Sequence, residues 1–209
     1  MKDNTIILDL DDTLISTHER QYRCIHDYLI STGIKFIDLV SYINLRRSKS
    51  LSNTDLLNSL YPDLELTGLR EFYLANIEDE KYLLFDKLIV EKKHLAEITK
   101  KKIKLVLLSL RSDHRNAEIQ LHKMGIGSFF SELHFEFHDF NKNPKVARLS
   151  QLNTDNHIIS FCGDSLSDYE AARFLNINFV QVKTSLYQLP DFEKAKQYIN
   201  INQYFLSIL

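Results

Sequence analysis

The sequence predicts an α/β domain built on a doubly wound, mostly parallel sheet, with a helical subdomain inserted into it. Short, nearly continuous apolar runs recur along the chain, as strands covered on both faces require. Helical patterns long enough for right-handed crossovers separate the later runs. Between the first run and the second lie roughly ninety residues of helical pattern, far more than one crossover uses.

The first strand is expected over residues 4–10, inside the stretch "IILDLDDTLI" (6–15), which places Asp9, Asp11 and Asp12 directly after its apolar run. Further strands are expected over 103–108 ("IKLVLL"), 133–137, 158–162 ("IISFC") and 178–182, with helices over 113–124, 144–152 and 167–175. In the long insertion, Tyr22, Ile25, Tyr28 and Leu29 mark one helical apolar face, and Phe36, Leu39, Val40 and Ile43 a second. Residues 54–60 and 69–77 are further helix candidates; Gly33 is placed as a helix C-cap, and Pro62 and Gly68 interrupt the pattern. The expected division is a core of residues 1–15 and 84–209 around an inserted helical subdomain of residues 16–83, with 85–101 returning to the core as its own helix.

Composition sets the bounds. The 209 residues are 44% hydrophobic, enough for one substantial core or a core carrying a smaller insertion. A net charge of −2 gives no reason to expect nucleic acid or an anionic membrane as partner. No window approaches the roughly eighteen apolar residues of a membrane helix and the N-terminus does not read as a signal sequence, so the expected location is cytoplasmic. Cys24 and Cys162 stand far apart with no Cys-x-x-Cys pair, and the 8 histidines show no metal-ligand spacing. A zinc site and a disulfide framework are not expected.

In an open parallel sheet, ligands bind beyond the carboxyl ends of the strands. Three of these ends carry chemistry: Asp9, Asp11 and Asp12 after the first, Ser109 and Arg111 in "LLSLRSD" after the second, and Asp164 and Asp168 in "FCGDSLSD" after the fourth. "NKNPKVARL" adds Lys142 and Lys145 from the helix start before the fourth strand. Carboxylates gathered at one edge repel one another unless a cation joins them, and hard oxygen ligands in that number suit Mg²⁺.

These residues resemble the motifs of the haloacid dehalogenase superfamily. Its Asp-x-Asp-x-Thr after a hydrophobic strand is matched by Asp9, Asp11 and Thr13, its strand-end hydroxyl by Ser109, and its Gly-Asp with a later acid by Gly163, Asp164 and Asp168. The family's lysine matches either Lys145, which starts the periodic run with Leu149 and Leu152, or Lys142, which precedes Asn-Pro; Lys145 is preferred. The resemblance implies a Rossmann-like core with a C1 cap inserted between the first and second motifs. It implies a Mg²⁺-dependent phosphatase acting on a small phosphorylated metabolite. In that reading Asp9 is the nucleophile, Asp11 the acid and base, and Ser109 and a lysine hold the phosphoryl oxygens. The metal contacts are Asp9, the Asp11 carbonyl, Asp164 and Asp168, the last directly or through water. An Asp at position 11 argues for phosphate chemistry over dehalogenation. A phosphomutase or a non-catalytic phosphoacceptor module of the same fold remain the alternatives.

Several of these residues have a structural reading beside the functional one. Asp12 suits a left-handed turn position, Asp168 a helix first turn, and Arg111 either a substrate contact or an ion pair with a neighbouring acid. In "LRRSKS" (45–50), Arg46 and Arg47 lie between two helical segments and form either a solvated basic loop or a clamp for a second anionic group of the substrate.

Overall fold

The computed structural model describes residues 3–137, 139 and 141–209. The chain opens with β1 (Asn4–Leu8) and the short β2 (Ile15–Ser16). A helical stretch follows: α1 (His18–Ser31), α2 (Leu39–Lys49), α3 (Asn53–Leu60), α4 (Thr67–Asn76) and α5 (Glu80–Leu83). Next come β3 (Lys87–Leu88), α6 (Lys92–Lys100), β4 (Lys104–Leu110), α7 (His114–Lys123), β5 (Glu132–Glu136) and α8 (Pro144–Asp155). The chain closes with β6 (His157–Gly163), α9 (Leu166–Phe174), β7 (Phe179–Val182), β8 (Lys196–Tyr198) and α10 (Ile201–Ile208).

Six strands form one sheet in the order β5-β4-β1-β6-β7-β8, and the pairs are parallel throughout. Because side chains alternate across a strand, Ile6, Leu8, Leu105 and Leu107 face one side, where they join Leu95 of α6, Leu121 of α7 and Phe205 of α10 in a buried core. α8 and α9 pack on the sheet as well. This is the doubly wound, Rossmann-like fold. The chain steps from β1 outward to β4 and β5, then returns to the other side of β1 for β6, so strand order reverses beside β1. That reversal opens the crevice in which such sheets hold ligands.

Contacts divide the chain into two compact units. One comprises the chain up to Ser16, Leu88–Thr184 and Pro190–Leu209, and the other Thr17–Lys87 with Ser185–Leu189. The second unit is helical and has its own apolar core, in which Tyr22, Phe36 and Tyr42 meet with ring centroids 5.4–6.1 Å apart. Gly33 ends α1 as expected. It adopts φ 81°, its N–H bonds to Ile30 O at 3.0 Å, and the Ile34 N–H returns to Leu29 O at 2.8 Å, a Schellman closure. Asp38 caps α2, and Ser52 with Asp55 forms a capping box at α3. A cavity of about 470 Å³ lies within this unit, bordered by Ile25, Asn53, Leu57, Leu69 and Tyr73. Among the described residues, no helix is long and apolar enough to cross a membrane.

The structure corrects several element boundaries. Residues 85–101 are not one helix: Lys87–Leu88 forms β3 against β2, the Ile89 and Val90 N–H groups bond to Leu14 O, and α6 starts only at Lys92. The β-branched pair Ile89-Val90 and its neighbour Leu88 favour extended backbone there. The first strand stops at Leu8, and the second runs on to Leu110, so Ser109 lies inside it. Phe36 is buried but precedes α2, while Val40 is 67% exposed on it. β8 and α10 were not anticipated, because "KQY" is a polar edge segment and the last helix has only 8 residues.

In the helical unit Arg20 and Asp86 form an ion pair of 3.1 Å, with both side chains nearly inaccessible to water. Removing one member of such a pair leaves a buried charge uncompensated. Asp86→Ala is therefore expected to lower stability by about 3–5 kcal/mol in urea unfolding, while Arg20→Met/Asp86→Leu recovers most of the loss. An Asp86→Ala loss below about 1 kcal/mol would show that the pair is exposed to water.

Candidate active site

β1, β4 and β6 are held in register with Leu8 beside Leu107 and Cys162. Their carboxyl ends therefore rise together at the reversal of strand order. The Asp9 N–H extends the ladder by one bond, 2.9 Å to Cys162 O, and so fixes the first aspartate. The chain then turns sharply. Asp12 takes the left-handed conformation at φ 51°, as expected of an aspartate in a turn, and the N–H groups of Thr13, Leu14 and Ile15 all return to Leu10 O. Thr184 clasps the turn by donating its hydroxyl to Asp12 O.

The remaining residues are set by helix starts. Asn143 caps α8 by accepting from the Lys145 N–H at 3.1 Å, and Pro144 occupies the first helical position, where its missing N–H does no harm. This puts Lys145 in the first turn, 2% exposed, with Nζ 2.6 Å from Asp9 Oδ1 and 2.5 Å from Asp168 Oδ1. Ser165 and Asp168 form a capping box on α9: Ser165 Oγ accepts from the Asp168 N–H at 3.3 Å, and Asp168 Oδ2 accepts from the Ser165 N–H at 3.2 Å. Asp168 thus takes both roles open to it, first-turn acid and member of the buried cluster. Gly163 is required by this packing, since a Cβ there would run into the Asp168 carboxylate.

Asp9, Asp164 and Asp168 each offer a carboxylate oxygen within 4.8 Å of the others. Burial is the largest influence on Asp9 and pushes its carboxyl up to about 7, opposed by Lys145 and reinforced by the charges of Asp168 and Asp11. Asp164 is held well above the usual carboxylate range, first by burial and then by the charges of Asp12, Asp9 and Asp168. For Lys145 burial favours the neutral amine, but the charges of Asp168 and Asp9 outweigh it and hold the ammonium form. A cluster that one lysine leaves so electron-rich fits a divalent cation, and its all-oxygen donors suit a hard one. Asp164 has the carboxylate least committed to protein, with a 3.4 Å bond from Thr13 Oγ1.

The other candidates separate clearly. Ser109 is 1% exposed within β4, and its side chain makes no hydrogen bond among the described residues. Arg111 pairs with a neighbouring acid: its Nε and Nη2 form a fork on Asp11 Oδ2 and Oδ1 at 2.7 and 2.6 Å. Of the two lysines, Lys145 enters the cluster. Lys142 precedes the helix with a 78% exposed side chain, 3.9 Å from Asp139. "LRRSK" is no loop but the last turns of α2, and Arg46 is buried there, donating to Leu51 O at 3.0 Å and to Gln21 Oε1 and Tyr42 Oη, both at 2.8 Å. Arg46 therefore braces the helical unit and is unsuited to a substrate clamp, while Arg47 is exposed. Sequence reasoning missed Gln120, whose Oε1 meets Arg111 Nη2 at 3.4 Å, since a glutamine within a helical pattern gives no signal.

Comparison with known proteins agrees with the fold. The chain is similar along 98% of its length to a predicted phosphoglycolate phosphatase from Haemophilus somnus 129PT, covering 97% of that chain, at 16% identity and a TM-score of 0.73. A predicted phosphatase from Clostridium acetobutylicum gives 0.70 at 15% identity, covering 100% of this chain and 99% of that one. Protein Tyrosine Kinase A of Mycobacterium tuberculosis gives 0.68 at 18% identity, covering 99% and 98%. At these identities the likeness shows the fold alone. Comparison with curated protein sequences finds no match. The haloacid dehalogenase-like hydrolase profile, however, matches residues 6–182, which takes in every motif aspartate and both candidate lysines, and on that match the chain belongs to the haloacid dehalogenase-like hydrolases.

Proposed function

We propose that this hydrolase is a Mg²⁺-dependent phosphatase that cleaves a small phosphomonoester through a phosphoaspartate on Asp9. The observation that carries the reading is the position of Asp9, a buried carboxylate 2.6 Å from the Lys145 ammonium, with a second carboxylate, Asp11, two residues further along the turn. An Asp9 oxygen attacks phosphorus, the ester P–O bond breaks, and Asp11 gives the departing alkoxide a proton. Asp11 then takes a proton from water as that water attacks the acyl phosphate, and inorganic phosphate leaves with Asp9 regenerated. Lys145 Nζ and the Ser109 hydroxyl are the donors for the phosphoryl oxygens. Asp9, Asp164 and Asp168, with the Asp11 main-chain carbonyl, are the residues that would hold Mg²⁺. When bound, it would supply positive charge that offsets the negative charge of the phosphoryl oxygens in the transition state. We read the helical unit, inserted in the chain between Asp11 and Ser109, as the cap that selects the substrate.

Hydrolysis of 4-nitrophenyl phosphate with and without Mg²⁺ is the first test. Asp9→Asn, nearly isosteric, is expected to remove turnover while urea unfolding shows a folded protein. More than a trace of Mg²⁺-dependent activity in the folded variant would overturn the mechanism. Lys145→Ala is expected to lose far more activity than Lys142→Ala, and equal losses would contradict the placement of the two lysines.

The acids are expected to differ in kind. Asp164→Asn should raise the Mg²⁺ concentration for half activity and weaken Mg²⁺ binding in calorimetry with little loss of stability. Asp168→Asn should also destabilise the fold, because it removes an ion pair of Lys145 and half of the α9 capping box. The Mg²⁺ requirement should rise more for Asp164→Asn than for Asp168→Asn, and the reverse order would make Asp168 the closer metal contact.

A further inference from the structure

We propose that Arg111 is a positioning residue for Asp11, fixing the plane of the carboxylate that handles the proton. The inference rests on the reading of Asp11 as acid and base. Asp11 sits in the turn after β1, and its side chain is 30% exposed, so without a partner it would sample several rotamers. Arg111 removes that freedom with two parallel bonds, Nε to Oδ2 at 2.7 Å and Nη2 to Oδ1 at 2.6 Å. Such a fork sets both distance and plane, which one lysine contact cannot do.

Arg111 is itself held at both its backbone and its side chain. It is 2% exposed, its Nη2 reaches Gln120 of α7 at 3.4 Å, and the Arg111 main-chain N–H bonds to Glu136 O at the end of β5 at 3.1 Å. The end of β5 therefore fixes the Arg111 backbone and α7 its guanidinium, whose charged end meets the site at Asp11. A carboxylate oxygen carries two lone pairs, so the fork does not by itself exclude a leaving-group oxygen or a water. The arrangement is thus compatible with proton transfer. Stability alone is a poor explanation, since a buried ion pair gives little net stabilisation over apolar packing. Restricting a reacting group to the productive geometry accelerates the reaction, and a misplacement of 1 Å costs about 10²-fold.

The test is a double-mutant cycle with 4-nitrophenyl phosphate and an alkyl phosphate, using Asp11→Asn, Arg111→Gln and the pair together. Asp11→Asn should lower kcat by about 10²- to 10⁴-fold. Arg111→Gln should lower kcat by about 10²-fold with KM little changed, and more for the alkyl phosphate, whose poor leaving group needs the proton. In the double variant the Arg111 change should add less than about twofold, because nothing is left to position. Arg111→Lys, which keeps the charge but not the fork, should show the same pattern, and it decides the question should Arg111→Gln fail to fold. Losses that multiply in the double variant, a rise in KM at constant kcat, or full activity in the Arg111 variants would overturn the proposal. Full activity of Asp11→Asn would instead overturn the reading of Asp11 itself, and the two failures are distinguishable.

Discussion

Three clustered carboxylates lie around one buried ammonium that pairs with two of them, and the arrangement of the carboxyl edge of the sheet follows from that. Taking a charge out of water costs several kcal/mol, so each must find an opposite charge at close range. Lys145 serves Asp9 at 2.6 Å and Asp168 at 2.5 Å, which leaves Asp164 with no ion-pair partner among the described residues. With all three ionised, the carboxylates and one ammonium leave two negative charges, the number a divalent cation cancels. The cluster thus carries an excess of negative charge rather than forming a satisfied network.

The fold supplies the geometry with few residues. Parallel pairing of β1 with β4 and β6 brings Asp9, Ser109 and Gly163 to one edge, although more than a hundred and fifty residues separate the first from the last. Two helix caps supply the rest. Asn143 and Pro144 start α8 so that Lys145 falls in its first turn, and Ser165 starts α9 so that Asp168 does. Both elements begin facing the site, and the positive end of the α9 dipole further favours a carboxylate in its first turn. Gly163 completes the arrangement by leaving room for the Asp168 carboxylate beside the strand.

Much of this was legible in the sequence because it is local. Apolar runs marked β1, β4, β6 and β7 to within a few residues, and the aspartates that follow them stood out as charge where a buried strand ends. Lys145 could be preferred over Lys142 because periodicity with Leu149 and Leu152 put it on the inner face of a helix. What stayed hidden depended on tertiary contact. Arg46 reads as part of a basic run until the Tyr42 hydroxyl, Gln21 and Leu51 O surround it, and the sequence leaves Arg111 between a substrate contact and an ion pair until the turn after β1 brings Asp11 against it. The strand at Lys87–Leu88 was hidden too, because its partner β2 lies about seventy residues earlier and neither segment is long enough to show alternation.

The central claim is that Asp9 forms a covalent bond to phosphorus, and trapping tests it most directly. The protein is mixed with substrate and Mg²⁺, quenched in acid within a turnover, reduced with borohydride, and digested for peptide mass spectrometry. An acyl phosphate is reduced to the alcohol, so the account predicts conversion of Asp9 alone to homoserine, dependent on substrate. Turnover with Asp9 unmodified and no other carboxylate reduced would mean that water attacks the phosphoester directly. Reduction at Asp164 or Asp168 would move the nucleophile to another strand.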